Sequence, residues 1–246
     1  LVRVVALTVT LLVPVLNELR GLKAIMPQTP HVDQVLIVDG GSTDGSVEWC
    51  LAQGYEVVHQ TGGPGVRQAY LDAWPKVRGD VVVTFSPDGN SDPERLDSVL
   101  THMRLFSEYD MLIVSRYLFW AHSEDDTPLT RAANWALTRL VNLLFGATYT
   151  DALVMYRAYR RWVPEKLGIL DLRSARWERQ VGRYISWEPM LSIRAAKAGM
   201  RVKELPGHEP ARIGAKRPGW LLPESRIHHF RCGIAFLRLM AEERWL

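Results

Sequence analysis

Carboxylates, amides and arginines in this sequence fall where short valine-rich runs end. The run "DVVVTF" passes straight into "SPDGNSDPE", which sets Asp88 and Asn90 one residue apart. In a turn both side-chain oxygens can face one hard cation such as Mg2+ or Mn2+, completed by diphosphate oxygens and water. Asp92, Pro93 and Glu94 make a helix start that needs no ligand: an N-cap, a proline at the first helical position and an acid in the first turn. "VPVLNE" puts Asn17 and Glu18 behind another apolar run, and "IVDGGSTDGS" puts Asp39 ahead of two glycines. Helix capping accounts for Ser42 and Asp44 in that second stretch but not for Asp39. Arg116 stands at the end of "DMLIVSRY". Together these are acceptors for a base and ribose, oxygen ligands for a cation and a cation for phosphate.

The loop "TGGPGVR", with Gly65 and Arg67, either presents backbone amides to an anion or lets the chain pass close to a nucleotide or a neighbouring strand. It has no lysine followed by serine or threonine at the spacing of a P-loop, so ATP hydrolysis carries little weight.

The elements that must hold these residues alternate. "VTLLVPV", a helix near 18–27, "QVLIVD", a helix near 44–53, "YEVVHQ", a helix near 65–77 and "DVVVTF" follow one another. Continuous apolar strands alternating with helices predict a parallel sheet covered on both faces. In such sheets ligands bind beyond the carboxyl ends of the strands, where the polar residues above fall. After Pro93 the pattern predicts a helix of about 13 residues, the strand "DMLIVSRY" and an amphipathic helix over 129–145. A helix "WEPMLSIRAAKAG" with a glycine C-cap and a strand "MRVKELP" come next. The expected division is one α/β domain over 1–224 and a C-terminal amphipathic helix over 225–246.

The 246 residues suffice for one sizeable core, and 47% hydrophobic with 23% charged residues is ordinary for a folded globular chain. The 30 basic against 27 acidic residues leave a net charge of +3, too mild to imply nucleic acid. Basic residues thicken from Arg131 onward, which suits an anionic substrate or a membrane surface. Cys50 and Cys232 make neither a disulfide framework nor a metal site and fit a reducing cytoplasm. The start, "LVRVVALTVTLLVPVLNE", reads as a buried strand rather than a signal peptide, because it is valine-rich and has no small-residue cleavage site. No stretch reaches the roughly 18 apolar residues of a membrane span.

Taken in order, the motifs resemble family-2 glycosyltransferases with a GT-A fold, especially the branch of polyprenyl-phosphate (dolichol-phosphate) mannosyl and glucosyl synthases. "VPVLNE" resembles the first nucleotide-binding strand end, and "IVDGGSTDGS" the Val-Asp-Asp-Gly-Ser-Thr-Asp signature. "GDVVVTFSPDGNSDPE" stands where the family has its metal-binding Asp-x-Asp. "VSRY", "TDALVMYRAYRR" and "ARIGAKRP" resemble its Gly-Ser-Arg-Tyr, Thr-Asp-Pro-x-Ser-Gly-Phe-Arg and Arg-x-Gly-x-Ser-Lys elements. The resemblance implies a Rossmann-like, mostly parallel sheet with helices on both faces. It makes Pro14, Glu18 and Asp39 contacts to base and ribose, and Asp88 and Asn90 ligands of Mg2+ or Mn2+. Arg116, Arg131, Arg212 and Lys216 become the grip on the diphosphate and an acceptor phosphate, and Asp151 stands near the reacting sugar. Three positions depart from the pattern: Ser86 replaces the first aspartate of Asp-x-Asp, Gly40 the second of the base-binding signature, and Val154-Met155-Tyr156 the Ser-Gly-Phe.

The implied reaction is inverting, metal-dependent transfer of a sugar from a GDP- or UDP-sugar to a polyprenyl-phosphate or glycan acceptor. A phosphate acceptor is already ionised near neutral pH and needs no base, whereas a hydroxyl acceptor does. For a hydroxyl, Asp151 and Glu188 are the candidate bases. Two rivals stay open: a sugar-1-phosphate nucleotidyltransferase, whose basic glycine-rich loop "VPVLNELRGL" lacks, and a non-catalytic nucleotide-sugar binder, which Ser86 and Gly40 would suit. The interleaved aromatic, aliphatic and basic residues of the terminal helix fit peripheral contact with the inner face of a membrane, docking on the domain, or a homodimer.

Overall fold

The computed structural model describes residues 7–171, 187–213 and 223–245, with backbone alone for 223–230. Seven strands among these residues form one mixed sheet with helices on both faces: β1 (Val9–Val15), β2 (Gln34–Asp39), β3 (Glu56–His59), β4 (Val81–Thr84), β5 (Met111–Ser115), β6 (Arg157–Arg160) and β7 (Val202–Pro206). Their order across the sheet is β3-β2-β1-β4-β6-β5-β7. Adjacent strands pair in parallel except at β6, which runs against both β4 and β5. Every residue of β4 and β5 is buried, as expected of strands covered on both faces.

The helices are α1 (Leu19–Ile25), α2 (Ser46–Ala52), α3 (Val66–Ala73), α4 (Glu94–Leu105), α5 (Pro128–Phe145), α6 (Trp162–Lys166), α7 (Trp187–Lys197) and α8 (Pro223–Trp245). The alternation expected from the sequence is therefore present through β5. Helix α5 begins on a capping box formed by Thr127 and Thr130 and stops at Gly146, whose φ of 69° only glycine adopts freely. Gly199, at φ 61°, closes α7 in the same way.

Strand β6 is the element that hydrophobic patterning does not predict. Its four residues, Arg-Ala-Tyr-Arg, begin and end on a charge, yet Arg157 is fully buried. The Arg157 guanidinium donates to the carbonyls of Val154 (2.6 Å), Ala152 (2.8 Å) and Glu188 (3.2 Å) and to the Ser192 hydroxyl (2.8 Å). An arginine in the core is tolerable because its donors are met, and here it fastens β6 and the preceding loop to α7.

Reversal of β6 matters for the site. The parallel strands β1, β2, β4 and β5 end on one edge of the sheet, and β6 begins on that edge. The loop before β6 therefore joins their carboxyl ends, and the Thr84 hydroxyl at the end of β4 donates to the Met155 carbonyl at 2.6 Å.

The terminal helix α8 packs on α5 and α7. Ala235, Phe236, Leu239 and Met240 are buried in that contact, and Glu243 pairs with Arg194 and Lys197. Of the three readings open for this helix, docking on the domain is the one that accounts for its buried face.

Candidate active site

A cleft of about 520 Å3 opens along this edge of the sheet. On one side it is lined by Pro14 and Glu18 from the end of β1, Gly40, Gln60, and Pro64 with Gly65 ahead of α3. On the other stand Arg116, Asp125, Glu209, Arg212 and the loop Leu153–Tyr156, and between them lie Ser86, Asp88 and Asn90.

The floor loop holds its carboxylate by local bonds. Asp88 Oδ1 accepts from the Ser86 hydroxyl at 2.6 Å and from the Asn90 amide nitrogen at 3.1 Å. Gly89 turns between them at φ 97°, and Asp92 Oδ1 caps the Glu94 amide at 2.9 Å. Helix α1 presses on this loop: a Cβ on Gly21 would lie 2.3 Å from the Pro87 carbonyl oxygen.

Two oxygens remain facing the cleft, and one cation already bridges them. Arg212 Nη1 lies 2.9 Å from Asp88 Oδ2, and Arg212 Nη2 donates to Asn90 Oδ1 at 3.0 Å. Asp125 stands 3.9 Å from the same guanidinium. Asn90 in turn donates to the Pro210 carbonyl at 2.9 Å, so the segment that carries Arg212 is tied to the floor loop. The expected ligand pair thus converges on a single point of positive charge. No group of three or more His, Cys, Asp or Glu side chains among the described residues is arranged to hold a metal ion alone. The fit is to a hard cation that takes two protein oxygens and the rest of its shell from a ligand's phosphates.

Arg116 forms the far wall. It grips Asp151 bidentately, Nε to Oδ2 at 2.7 Å and Nη2 to Oδ1 at 3.0 Å, while Nη1 reaches Glu209 at 3.3 Å. Burial works against charge on Arg116, but the Asp151 carboxylate outweighs it and holds the guanidinium pKa well above its ordinary value. Asp151 is fully buried, which by itself raises a carboxyl pKa, yet Arg116 and the amide of Leu153 bring it below the usual range. Glu204 supports the pair from behind, accepting the amides of Thr150 and Asp151 at 2.8 and 3.0 Å. Burial raises the pKa of Glu204 and of Glu209.

The remaining sequence candidates divide between cleft, loop and core. Asp39 is turned to its own loop, where it accepts from the amides of Gly41 (3.1 Å) and Ser42 (2.9 Å) and contacts His59 at 3.2 Å. Burial raises its pKa, but these hydrogen bonds win and lower it. Asn17, at φ 57°, joins two loops: its side chain accepts the Thr43 amide at 2.8 Å and its own amide donates to Ser42. Arg67, on α3, is buried and donates to the Ile169 carbonyl at 3.0 Å, outside the cleft lining. Arg131 is exposed on α5, outside the cleft lining. Glu188 is only 3% exposed, inside the core on α7 and not at the cleft, so the expectation of a base there is corrected by its place in the packing. Asp151, the other candidate base, has both its oxygens engaged by Arg116. Lys216 lies outside the described residues.

Gln60, Asp125 and Glu209 line the cleft without having been expected there. Glu209 follows β7 as Arg116 follows the adjacent parallel β5, so strand-end reasoning applied to the last strand would have reached it. Asp125 sits in a long connection with no such signal.

A family model described as glycosyl transferase family 2 matches residues 10–167. The chain is 27% identical over 238 residues to an undecaprenyl-phosphate mannosyltransferase of Micrococcus luteus, covering 91% of this chain and 93% of that one. It is 31% identical over 216 residues to a polyprenol monophosphomannose synthase of Mycolicibacterium smegmatis, covering 79% and 74%. Among solved structures it is similar to a glucosyl-3-phosphoglycerate synthase from Mycobacterium tuberculosis, crystallised with Mn2+, UDP-glucose and glycerol 3-phosphate. That likeness has a TM-score of 0.63 at 16% identity and covers 96% of this chain and 80% of the other, which speaks to the fold.

Proposed function

The chain belongs to glycosyl transferase family 2 and is a glycosyltransferase, and from that premise we propose that it moves a hexose from a nucleoside-diphosphate sugar to a polyprenyl phosphate. The observation that carries the donor half is the convergence, in one cleft at the carboxyl edge of the sheet, of Asp88 and Asn90 oxygens with two arginines, Arg116 and Arg212. That is a set of groups matched to a diphosphate and its cation. Pro14, Glu18, Gly40 and Gly65 line the side where the base and ribose would lie.

The acceptor half rests on which groups are engaged. A sugar hydroxyl has to lose a proton as it attacks, and neither candidate base is placed to take it: Asp151 is bound to Arg116 and Glu188 lies in the core. A phosphate monoester brings its own negative oxygen and asks only for positive charge to orient it. Arg116 keeps its orientation through Asp151, and its looser contact to Glu209 at 3.3 Å is the one such a phosphate would compete for. The named activities of the two relatives above, both polyprenyl-phosphate mannosyl transfer, point the same way.

The residues fit a divalent cation, Mg2+ or Mn2+, at Asp88 and Asn90. Such an ion would neutralise charge on the departing diphosphate. For such an ion to bind, Arg212 would have to release the Asp88–Asn90 pair it bridges, and its guanidinium would then be available to the same phosphates. Attack from the face opposite the leaving group inverts the anomeric carbon, as the family resemblance implies.

The test is a thermal-shift screen of GDP- and UDP-sugars with and without Mn2+, followed by transfer to a short-chain polyprenyl phosphate. Nucleotide-dependent stabilisation and an inverted anomeric signal in the product's proton NMR are expected. Binding of a nucleotide sugar with no transfer to any phosphate acceptor would leave the non-catalytic binder, and a retained configuration would sink the inverting mechanism.

A further inference from the structure

The stretch that follows β7, residues 207–213, brings Glu209 and Arg212 to the cleft. Each is paired there with a group of the opposite kind. Glu209 meets Arg116 at 3.3 Å, while Arg212 meets Asp88 at 2.9 Å and Asn90 at 3.0 Å. A carboxylate therefore sits where an anion would be gripped, and a guanidinium sits where a cation would be ligated. Both come from one short piece of chain, with Pro210 and Ala211 between them.

That piece is stitched at both ends. At the far wall it lies along the connection between β5 and α5. The Glu209 amide donates to the His122 carbonyl at 3.0 Å, and the Glu124 amide donates to the Glu209 carbonyl at 2.9 Å. The Ala211 amide donates to the Glu124 carboxylate at 3.2 Å, and the Ser123 hydroxyl donates to the Glu209 carboxylate. At the floor the Ile213 amide donates to the Asp88 carbonyl at 2.5 Å. The turn at Gly89 leaves room for the strand of chain above it: a Cβ there would lie 3.0 Å from Ile213 and 3.3 Å from the Ala211 carbonyl oxygen.

The Asn90 side chain joins the two charges. Its oxygen accepts from Arg212, its nitrogen donates to the Pro210 carbonyl at 2.9 Å, and Pro210 directly follows Glu209. The amide group is planar, so turning its oxygen toward a new partner swings its nitrogen as well. Pro210, with φ fixed by its ring, passes that motion along the chain instead of absorbing it.

We propose that residues 207–213 are a strap that stands in for both ligands at once, Arg212 for the cation and Glu209 for the acceptor phosphate, and that it is released as one body. Whichever ligand arrives first then does part of the opening for the other, so the two sites bind with positive coupling. Two side chains acting independently would give none. The strap rests on the reading of the cleft given above and adds a link between its donor and acceptor halves.

The test is Mn2+ binding to the full chain, read as free Mn2+ by electron paramagnetic resonance, in wild type and Glu209→Gln. Glutamine keeps the shape of the side chain and weakens its hold on Arg116, and a thermal melt reports whether the fold is kept. By charge alone, removing a carboxylate from the cleft weakens cation binding there. The strap predicts the reverse: Glu209→Gln should bind Mn2+ about fivefold more tightly with no nucleotide or phosphate added. In wild type, a saturating short-chain polyprenyl phosphate should raise Mn2+ affinity by a similar factor, and the variant should show little of that gain. Mn2+ binding that is unchanged or weaker in the variant overturns the proposal. So does a phosphate-induced gain of equal size in both proteins, because the phosphate would then be ligating the Mn2+ itself. Tighter Mn2+ binding in Glu209→Gln with no effect of polyprenyl phosphate on either protein supports the strap while removing the acceptor reading, which keeps the two apart.

Discussion

Replacing Arg212 with alanine removes the guanidinium that bridges Asp88 at 2.9 Å and Asn90 at 3.0 Å. A buried charge-assisted hydrogen bond contributes about 1.5–3 kcal/mol. The Arg212 side chain is 29% exposed, so solvent screening brings the net value of the bridge down to about 1–2 kcal/mol. A divalent cation entering between the same two oxygens must displace the bridge and loses that amount. Arg212→Ala should therefore bind Mn2+ more tightly than wild type when no nucleotide is present, by about 5–30-fold. Turnover should move the other way, because the variant has lost a cation that serves the donor diphosphate. Free Mn2+ measured by electron paramagnetic resonance across a protein titration reads the first effect, and initial rates at saturating Mn2+ read the second. Unchanged or weaker Mn2+ binding in the nucleotide-free variant would refute the reasoning, since the guanidinium would then not be competing for the site.

Asp151→Asn leaves Arg116 largely buried without its carboxylate, and urea unfolding should report a loss of about 3–5 kcal/mol. Because Arg116 holds the Asp151 pKa down despite burial, wild type keeps that contribution above the ordinary aspartate range and sheds it as pH falls below that range toward the lowered folded value. The variant should show a flatter acid limb, and parallel curves would count against the ion pair. Ser86→Asp places a second carboxylate against Asp88 at a buried position. It should cost about 1–3 kcal/mol without divalent cation and recover in thermal melts with Mn2+ by more than wild type does. Gly21→Ala drives a Cβ into the Pro87 carbonyl, so α1 or the floor loop must shift. A loss of about 1–3 kcal/mol together with weakened nucleotide binding is expected, and a melt shift with unchanged binding would mean that α1 yields rather than the loop.

The first half of the fold was legible because β1, β2 and β4 are unbroken apolar runs whose carboxyl ends must carry any ligand. The same logic picked out Asp88, Asn90 and Arg116, which line the cleft. It failed at β6, where Arg157 is buried by satisfying its donors rather than by being apolar, a condition that hydropathy does not register. It also picked out Asp39, Asn17 and Glu188, which lie in loop joints and in the core rather than in the cleft lining. Residue type at a strand end says that a polar group is needed, but it does not say whether a ligand or the neighbouring loop will use it. Asp39 and Asn17 are consumed in joining the loops after β1 and β2, and Glu188 lies on a helix whose burial is nearly complete on all sides. Arginine spacing likewise could not separate Arg212, which meets the cleft floor, from Arg131, which faces outward.

The two walls of the cleft come from different stretches of chain. Residues up to Ser91 supply the β1–β3 side and the floor, and residues from Arg116 onward supply the other side. Within the sheet these stretches meet along β4 and β6, through four paired positions from Val81 with Arg160 to Thr84 with Arg157. A molecule gripped by both walls therefore acts as a removable cross-link over a short seam. Opening that seam requires letting go of the ligand, so at a hundredfold excess over its dissociation constant, backbone amides of β4 and β6 should gain up to about 2.7 kcal/mol of protection against hydrogen exchange. Amides of β2 and β3, which open without parting the walls, should gain less.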